Sequence, residues 1–147
     1  MPGSDQHADC VFCRIVAGSI PAAKVYEDDN VLAFIDINPL AEGHTLLISK
    51  THYTTIYEMP PRAAADLCSL LPRLAIAVRT AVDAQGLNIL QNNGPCSGQA
   101  VMHLHFHFIP RVPADGLGYR WPARKYPPGR LEEVRDLVTQ ALTDNAG

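Results

Sequence analysis

The chain has 147 residues, a length that predicts one domain with a sizeable hydrophobic core. Its hydrophobic fraction of 47%, charged fraction of 18% and formal net charge of -3 are ordinary for a globular protein, and they give no support to general binding of nucleic acid or of membrane surfaces. No apolar run approaches the roughly 18 residues of a transmembrane helix, and residues 1–9 are polar, so we expect a cytoplasmic protein.

Short elements alternate along the first third of the chain. A short helix is predicted from residue 11 to the glycine at residue 18, where helices commonly end. Two strand patterns follow on either side of an acidic turn, as in a hairpin, and a third comes after a loop. The three predicted strands cover residues 24–27, 31–36 and 44–49.

One long helix is predicted over residues 62–84, where apolar side chains recur every three or four residues. Pro72 interrupts this pattern and predicts a kink or a broken hydrogen bond. Two further strands are predicted over residues 87–92 and 102–109, and an amphipathic helix over residues 131–142 closes the chain.

This order of elements contains no internal repeat and no domain linker. Hairpins and meanders with a long helix on one face indicate an α+β fold with an antiparallel sheet. We expect a flexible tail over residues 1–9 and one domain over residues 10–147, in which residues 113–147 form a C-terminal tail and helix.

Residues 102–109 alternate histidine with apolar side chains. A strand here points His103, His105 and His107 to one face and the apolar set into a core, whereas at helical spacing no single face holds the three rings. A half-buried strand whose polar face is histidine by chance is the alternative explanation. Imidazoles, however, supply nucleophiles, proton carriers and metal ligands near neutral pH, so we place the functional site on this strand.

Two of the four cysteines, Cys10 and Cys13, are separated by two residues. A chain of this size and composition does not need a disulfide framework. The spacing is that of half a tetrahedral zinc site or of a redox pair, and two free thiols are the third possibility. No parallel strand precedes Cys10, which disfavours the redox pair. His52 and one histidine of residues 102–109 are candidates to complete a zinc site.

The loop over residues 92–99 contains glycines and precedes the histidine strand. Such a loop offers backbone N–H groups to an anion at close range, although an ordinary hairpin turn has the same composition. His44 follows a glycine at the start of a predicted strand. A lone histidine of this kind is more often structural than functional.

Taken together, these motifs resemble those of the histidine triad (HIT) family, in particular its Hint-like nucleotide-binding branch, whose bacterial members carry zinc. The resemblance runs from Cys10 to Trp121. It implies an α+β fold with a five-stranded antiparallel sheet, one long helix and a short N-terminal helix, and a sheet that extends across a homodimer. The matching segments are residues 12–15, 20–22, 26–29, 33–39, 43–48, 50–52 and 98–99, and the triad His103-Leu104-His105-Phe106-His107-Phe108-Ile109.

The resemblance also implies a pocket for a purine nucleoside monophosphate. The carboxyl group of Asp36 would accept hydrogen bonds from the ribose hydroxyls. Four apolar residues would surround the base, namely Phe12, Ile15, Phe34 and Ile37. Five residues would surround the α-phosphate, namely Asn92, Gly98, Gln99, His105 and His107.

By the same resemblance, His105 is a nucleophile that forms a nucleotidyl-histidine intermediate, which water then hydrolyses. Its other ring nitrogen should donate to a backbone carbonyl and so fix the tautomer whose free lone pair attacks. His107 and His44 would bind phosphate oxygens or relay protons, and backbone N–H groups of the Gly98 loop would offset transition-state charge. Positioning and charge stabilisation carry phosphoryl transfer, so no catalytic metal is required.

In zinc-carrying members of this family, the first triad histidine joins two cysteines and the histidine that follows the third strand. The resemblance thus implies a zinc site made by Cys10, Cys13, His52 and His103. A closed set of four such ligands is structural. It would pin the N-terminal segment to the histidine strand and couple metal binding to folding.

One position departs from the family pattern. Many members carry Ser or Thr after the Gly-Gln pair, near the leaving group, whereas this chain has Ala100. The resemblance implies a hydrolase of purine nucleoside phosphoramidates or of related nucleotides substituted at the α-phosphate, and Ala100 leaves a slower reaction or another leaving group open. The alternatives are a dinucleoside polyphosphate hydrolase, nucleotidyl transfer to an acceptor, and a non-catalytic AMP-sensing or regulatory module.

Overall fold

The computed structural model describes residues 7–118 and 121–146 of the chain. Its elements in chain order are α1 Val11–Val16, β1 Lys24–Glu27, β2 Val31–Ile35, β3 Thr45–Ser49, α2 Pro61–Cys68, α3 Leu71–Ala81, β4 Gly86–Gln91, β5 His105–Arg111 and α4 Arg130–Asp144, with 3-10 turns at Ile56–Glu58 and Pro95–Ser97. The strands form one sheet in the order β1-β2-β3-β5-β4, and every neighbouring pair is antiparallel. The predicted α+β class and five-stranded antiparallel sheet are confirmed.

The two faces of the sheet have different partners. On one face, Leu47 and Phe108 are buried together with Leu67 of α2 and Leu74 of α3. On the other face, α1 supplies Phe12 and Ile15 to a second cluster. The strand residues of that cluster are Leu32, Phe34, Leu46 and Ile48. Because strand side chains alternate between faces, the same strands serve both clusters.

The predicted long helix is two helices, and this part of the sequence prediction was wrong. Helix α2 ends at Cys68, and α3 begins at Leu71. Pro72 has no backbone N–H to donate to the carbonyl of Cys68, and its ring would clash with that carbonyl in a continuous helix. The break expected at Pro72 is therefore present, and it separates two elements rather than bending one.

Strand β5 begins at His105 and not at residue 102, so the predicted start was also wrong. Strand β3 has no partner for β5 beyond the Ile48–His105 pair. The backbone N–H of Leu104 does not pair with β3 and instead donates to the carbonyl of Tyr53 at 2.6 Å. His103 consequently lies in a bend just before the strand.

The same strand continues past its predicted end at residue 109, through Pro110 to Arg111. Proline is excluded from central strands because it cannot donate to a neighbour. Here the pairing with β3 ends at Phe108, and Pro110 pairs only with Leu87 of β4. Its missing N–H therefore costs no sheet hydrogen bond to β3.

The chain divides into two compact units, Met1–Leu117 with the sheet and Gly118–Gly147 with α4. Within the second unit, four large apolar side chains of α4 are exposed, namely Leu131, Leu137, Val138 and Leu142. Residues 7–9 form a turn, while residues 1–6 of the predicted flexible tail lie outside the described residues. Among the described residues, no helix has the length and apolar character to cross a membrane. One domain over residues 10–147 stays a prediction.

Candidate functional site

Strand β5 presents His105 and His107 on the face of the sheet that carries α1. Their ring centroids are 4.7 Å apart. The ring of Phe12 lies edge-on to His105 at 5.2 Å and to His103 at 5.8 Å. His103 and His105 therefore contact α1 through Phe12, although His103 does not belong to the strand.

The tautomer of His105 is fixed by the backbone. Its Nδ1–H donates to the carbonyl oxygen of His103 at 2.6 Å, as the sequence predicted. The remaining nitrogen, Nε2, then carries a free lone pair. His105 is buried, with 5% of its surface exposed, and burial lowers the pKa of its ring. A neutral imidazole with one free nitrogen is a competent nucleophile near neutral pH.

His44 and His107 form a chain of hydrogen bonds with a defined direction. The backbone N–H of Leu40 donates to His44 Nδ1 at 3.1 Å, so the proton of His44 is on Nε2. His44 Nε2 lies 2.9 Å from His107 Nδ1 and donates to it. The proton of His107 is therefore on its Nε2, where it is a donor for an anion.

Burial keeps these rings neutral. It lowers the pKa of His107 to about 4, and the neighbouring His105 and His44 contribute in the same direction. Burial also lowers the pKa of His44, against the opposing effect of Asp36. The relay therefore consists of neutral imidazoles at neutral pH.

A second group of side chains, Cys10, Cys13, His52 and His103, brings its ligand atoms within 4.8 Å of one another. Cys13 Sγ lies 3.2 Å from His52 Nδ1, and His103 Nδ1 lies 3.5 Å from both sulfurs. Tetrahedral zinc with these ligand types holds them about 3.5 Å apart, so the arrangement fits a Cys2His2 metal site.

His103 is protonated as a metal ligand requires, whereas Cys13 must first lose a proton. His103 Nε2–H donates to the carbonyl oxygen of Ser49 at 2.7 Å, which leaves Nδ1 free to bind a metal. Burial lowers the pKa of His103 to about 4, so its ring is neutral. Burial, helped by Cys10, raises the pKa of the Cys13 thiol to about 12, so metal binding must displace a proton there.

Asp36, His44 and His107 also bring ligand atoms within 4.8 Å of one another. Their hydrogen bonds oppose a metal ion at this point. His44 Nε2 carries a proton because Nδ1 accepts the N–H of Leu40, so His44 offers no lone pair to a cation. The hydrogen bonds of this group fit a proton relay and not a metal site.

The residues predicted to bind a nucleoside lie on β2, on α1 and in the loop after β2. Phe12, Ile15 and Phe34 are buried, whereas Ile37 is 86% exposed. Asp36 Oδ1 accepts the N–H of Asn38 at 2.8 Å, which orients the carboxyl group at the end of β2. Asp36 Oδ2 lies 3.8 Å from His44 Nε2.

In the predicted phosphate loop, backbone groups hold the side chain of Gln99. Gln99 is 3% exposed, and its Oε1 accepts the N–H of Gly94 at 2.7 Å. Its Nε2 donates to the carbonyls of Thr54 and Val101. The side chain of Gln99 therefore fixes the loop through backbone groups, and its contact with a nucleotide stays a prediction.

Gly98 supplies the turn of this loop, with φ at +98°. Glycine adopts this left-handed region at no steric cost. A Cβ added there would meet Asn92 Nδ2 at 3.7 Å, so these two predicted phosphate ligands are neighbours.

The site depends on three backbone groups that the sequence did not identify, although it predicted that some backbone carbonyl would accept from His105. They are the backbone N–H of Leu40 and the carbonyls of Ser49 and His103, which set the tautomers of the histidines. Because these are backbone groups, the identity of the side chain carries no signal for them. Only the fold brings them to the rings.

Comparisons with known proteins agree on one family. The sequence model of the HIT domain matches residues 17–114. A Bacillus subtilis protein named protein hit is 43% identical over 140 residues, which are 93% of this chain and 97% of that protein. A Candida albicans adenosine 5'-monophosphoramidase is 35% identical, over 92% of this chain and 93% of its own length. An Arabidopsis thaliana adenylylsulfatase is 41% identical, over 89% of this chain and 66% of its own length.

Solved structures show the same similarity. A HIT family protein from Bacillus subtilis superimposes with a TM-score of 0.85 at 43% identity, covering 90% of this chain and 96% of that one. A zinc-bound histidine triad family protein from Mycobacterium smegmatis gives a TM-score of 0.71 at 39% identity, covering 99% and 100%.

Proposed function

This chain belongs to the HIT family, and from that premise we propose that it hydrolyses purine nucleoside 5'-phosphates that carry a leaving group on the α-phosphate. The observation that carries the proposal is the fixed tautomer of His105, whose Nδ1–H is held by the carbonyl of His103. A relative from Candida albicans is named an adenosine 5'-monophosphoramidase, which makes an adenosine phosphoramidate the first substrate to test.

In the proposed mechanism, His105 Nε2 attacks the α-phosphorus and forms a phosphorus–nitrogen bond while the bond to the leaving group breaks. An amine leaving group takes its proton from water. Water then attacks the same phosphorus, the bond to His105 breaks, and a nucleoside monophosphate is released. Dividing one displacement into two lowers each barrier.

The other groups bind and orient the nucleotide. The Nε2–H of His107 is available to a phosphate oxygen, because His44 occupies Nδ1. The side chain of Asn92 offsets charge on the phosphate, since the backbone N–H groups of Ser97, Gly98 and Gln99 donate to carbonyls within the loop. Asp36 binds the ribose hydroxyls, and the base lies against Ile37 and the α1 face. No step requires a catalytic metal.

A second leaving group, sulfate, is favoured by Ala100. An amine must take up a proton to leave, and Ala100 has no hydroxyl to assist that transfer. Sulfate leaves without a proton. The Arabidopsis thaliana relative is named an adenylylsulfatase, so adenylyl sulfate is the second candidate substrate.

A substrate panel with wild type and His105→Ala tests the reaction and the leaving group together. We expect release of AMP from adenosine phosphoramidate, adenylyl sulfate or both, and a loss of at least about 1000-fold in kcat for the variant. Diadenosine polyphosphates in the same panel test the dinucleoside polyphosphate alternative. AMP binding with no turnover of any of these compounds by wild type would make the chain a non-catalytic AMP-sensing module.

We also propose that Cys10, Cys13, His52 and His103 hold a structural zinc ion, which would fix α1 beside the triad. The fit of the four ligand atoms supports this, and the similar protein from Mycobacterium smegmatis is zinc-bound. When bound, zinc would cross-link the N-terminal segment to the chain near β3 and β5 and stabilise the fold.

Finally, we propose that the chain forms a homodimer through β4. This strand lies at one edge of the sheet, and its Ile89 is 40% exposed. An open edge offers unpaired backbone groups to a second copy. Sedimentation equilibrium should give twice the chain mass, and a monomer at micromolar concentration would contradict this.

A further inference from the structure

The two histidines of the candidate metal site are oriented by different means. His103 donates its Nε2–H to the carbonyl of Ser49 at 2.7 Å, the usual outer contact of a metal-binding histidine. His52 places Nδ1 3.2 Å from Cys13 Sγ. Within residues 7–118 and 121–146, no hydrogen bond from protein reaches the Nε2 of His52. Its ring must be held in another way.

The imidazole of His7 lies flat against the ring of His52. Their centroids are 3.7 Å apart and their planes differ by 9°. The backbone fixes this position, since the N–H of Cys10 donates to the carbonyl of His7 at 2.9 Å. The turn that carries His7 is thus joined directly to one of the cysteine ligands.

The stack also stands at the exposed side of the cluster. A groove of about 650 Å³ borders Cys10 and His52, and His7 lines it with them. Cys10, Cys13 and His52 are half-buried, whereas His103 is fully buried. A competing ligand therefore reaches the metal from the groove, where His52 is the imidazole ligand that it meets first.

We propose that His7 is a positioning residue of the metal site, which holds the His52 ring in its ligating orientation by stacking. This proposal rests on the metal site proposed above. Stacking requires a flat ring and not a ring nitrogen, so an aromatic hydrocarbon at residue 7 can replace histidine. Loss of an outer contact of a metal-binding histidine typically lowers metal affinity about 10- to 100-fold.

The experiment compares wild type, His7→Ala and His7→Phe as purified full chains loaded with one zinc per chain. Zinc transfer to a chromophoric chelator is followed with time. We expect about 10-fold faster transfer from His7→Ala and a rate within about twofold of wild type from His7→Phe. Equal rates for His7→Ala and wild type would overturn the proposal. Equal, fast rates for both variants would overturn it too, because His7 would then act through its nitrogens as a ligand.

The visible spectrum of cobalt-substituted protein gives a second readout. His7→Phe should keep the d–d bands of wild type, since stacking leaves the four ligands unchanged. A shifted spectrum would show that His7 itself binds the metal. Elemental analysis of wild type comes first: far less than one metal per folded chain overturns the metal site and this inference together. One metal per chain with equal release rates overturns only the role of His7.

Discussion

His103 contacts four neighbouring residues at once. Its Nδ1 faces the two cysteine sulfurs, its Nε2–H donates to Ser49, and its carbonyl oxygen accepts the Nδ1–H of His105. The backbone of one residue therefore fixes the proposed nucleophile while its side chain belongs to the candidate metal site. Movement of residue 103 would disturb both sites.

The hydrogen bond from His44 to His107 predicts the effect of replacing His44. In His44→Ala, the proton of His107 is no longer confined to Nε2, because no donor reaches its Nδ1. We expect kcat to fall about 10- to 100-fold with little change in KM, measured on the best substrate of the panel.

His44→Gln is the matched control for this prediction. Its amide can donate to His107 Nδ1, as His44 Nε2 does at 2.9 Å, and it should recover part of the lost rate. Wild-type kcat in His44→Ala would show that the hydrogen bond to His107 has no part in the reaction.

The sequence identified the residue types of the site and left their use partly open. Alternation within residues 102–109 indicated that the histidines share a face, and His105 and His107 do lie together. Gln99 shows the limit: the resemblance placed it beside the α-phosphate, which stays a prediction, but gave no sign that backbone groups engage its side chain. Which carbonyl meets a buried amide depends on how distant segments meet, and no local pattern encodes that.

At the scale of elements, the loop between β2 and β3 depends on Gly43. This residue has φ at +86°, and an added Cβ would lie 2.9 Å from Cγ1 of Val82. Gly18 has a similar φ of +78°, but an added Cβ there meets nothing within 4 Å. An alanine at residue 18 would therefore suffer backbone strain alone, whereas an alanine at residue 43 would also clash with Val82.

We expect Gly18→Ala to lower the free energy of unfolding by about 1 kcal/mol through backbone strain alone. Gly43→Ala should lower it by about 3 kcal/mol, since the Cβ also overpacks against Val82. Urea denaturation of the two variants and wild type measures both values. Equal losses would mean that Val82 moves aside without cost.

The ends of elements were predictable where the signal is local. Strand β1 has the predicted bounds, and the helical break follows from Pro72. The start of β5 was not predictable, because it is set by the end of β3 at Ser49 and by the bond from Leu104 to Tyr53. Periodicity shows which face a residue takes, but pairing decides where a strand begins.

At the scale of the whole molecule, the buried histidines make stability depend on pH. Burial lowers the pKa of His107 to about 4, whereas an unfolded histidine titrates near about 6.5. Between these values the unfolded chain binds more protons than the folded chain. The free energy of unfolding must therefore fall as pH falls from about 6.5 to about 4, by about 1.4 kcal/mol per pH unit for this histidine.

Urea midpoints at about pH 7 and about pH 5 test this expectation. The midpoint should be lower at the acidic pH, and His107→Gln should show a smaller decrease than wild type because it lacks one of the titrating rings. Identical midpoints at the two pH values would show that the rings take up protons in the folded chain as readily as in the unfolded one.

Alternate residues of strand β5 are under different constraints, one set from the candidate site and the other from core packing. Its odd positions, His105 and His107, face the site, while Phe106 and Phe108 face the helices. Substitutions on the helix side change the packing against α2 and α3, whereas substitutions on the other side change the groups of the candidate site. Protein engineering can therefore vary the residues of β5 that face the site while keeping the residues that pack against the helices.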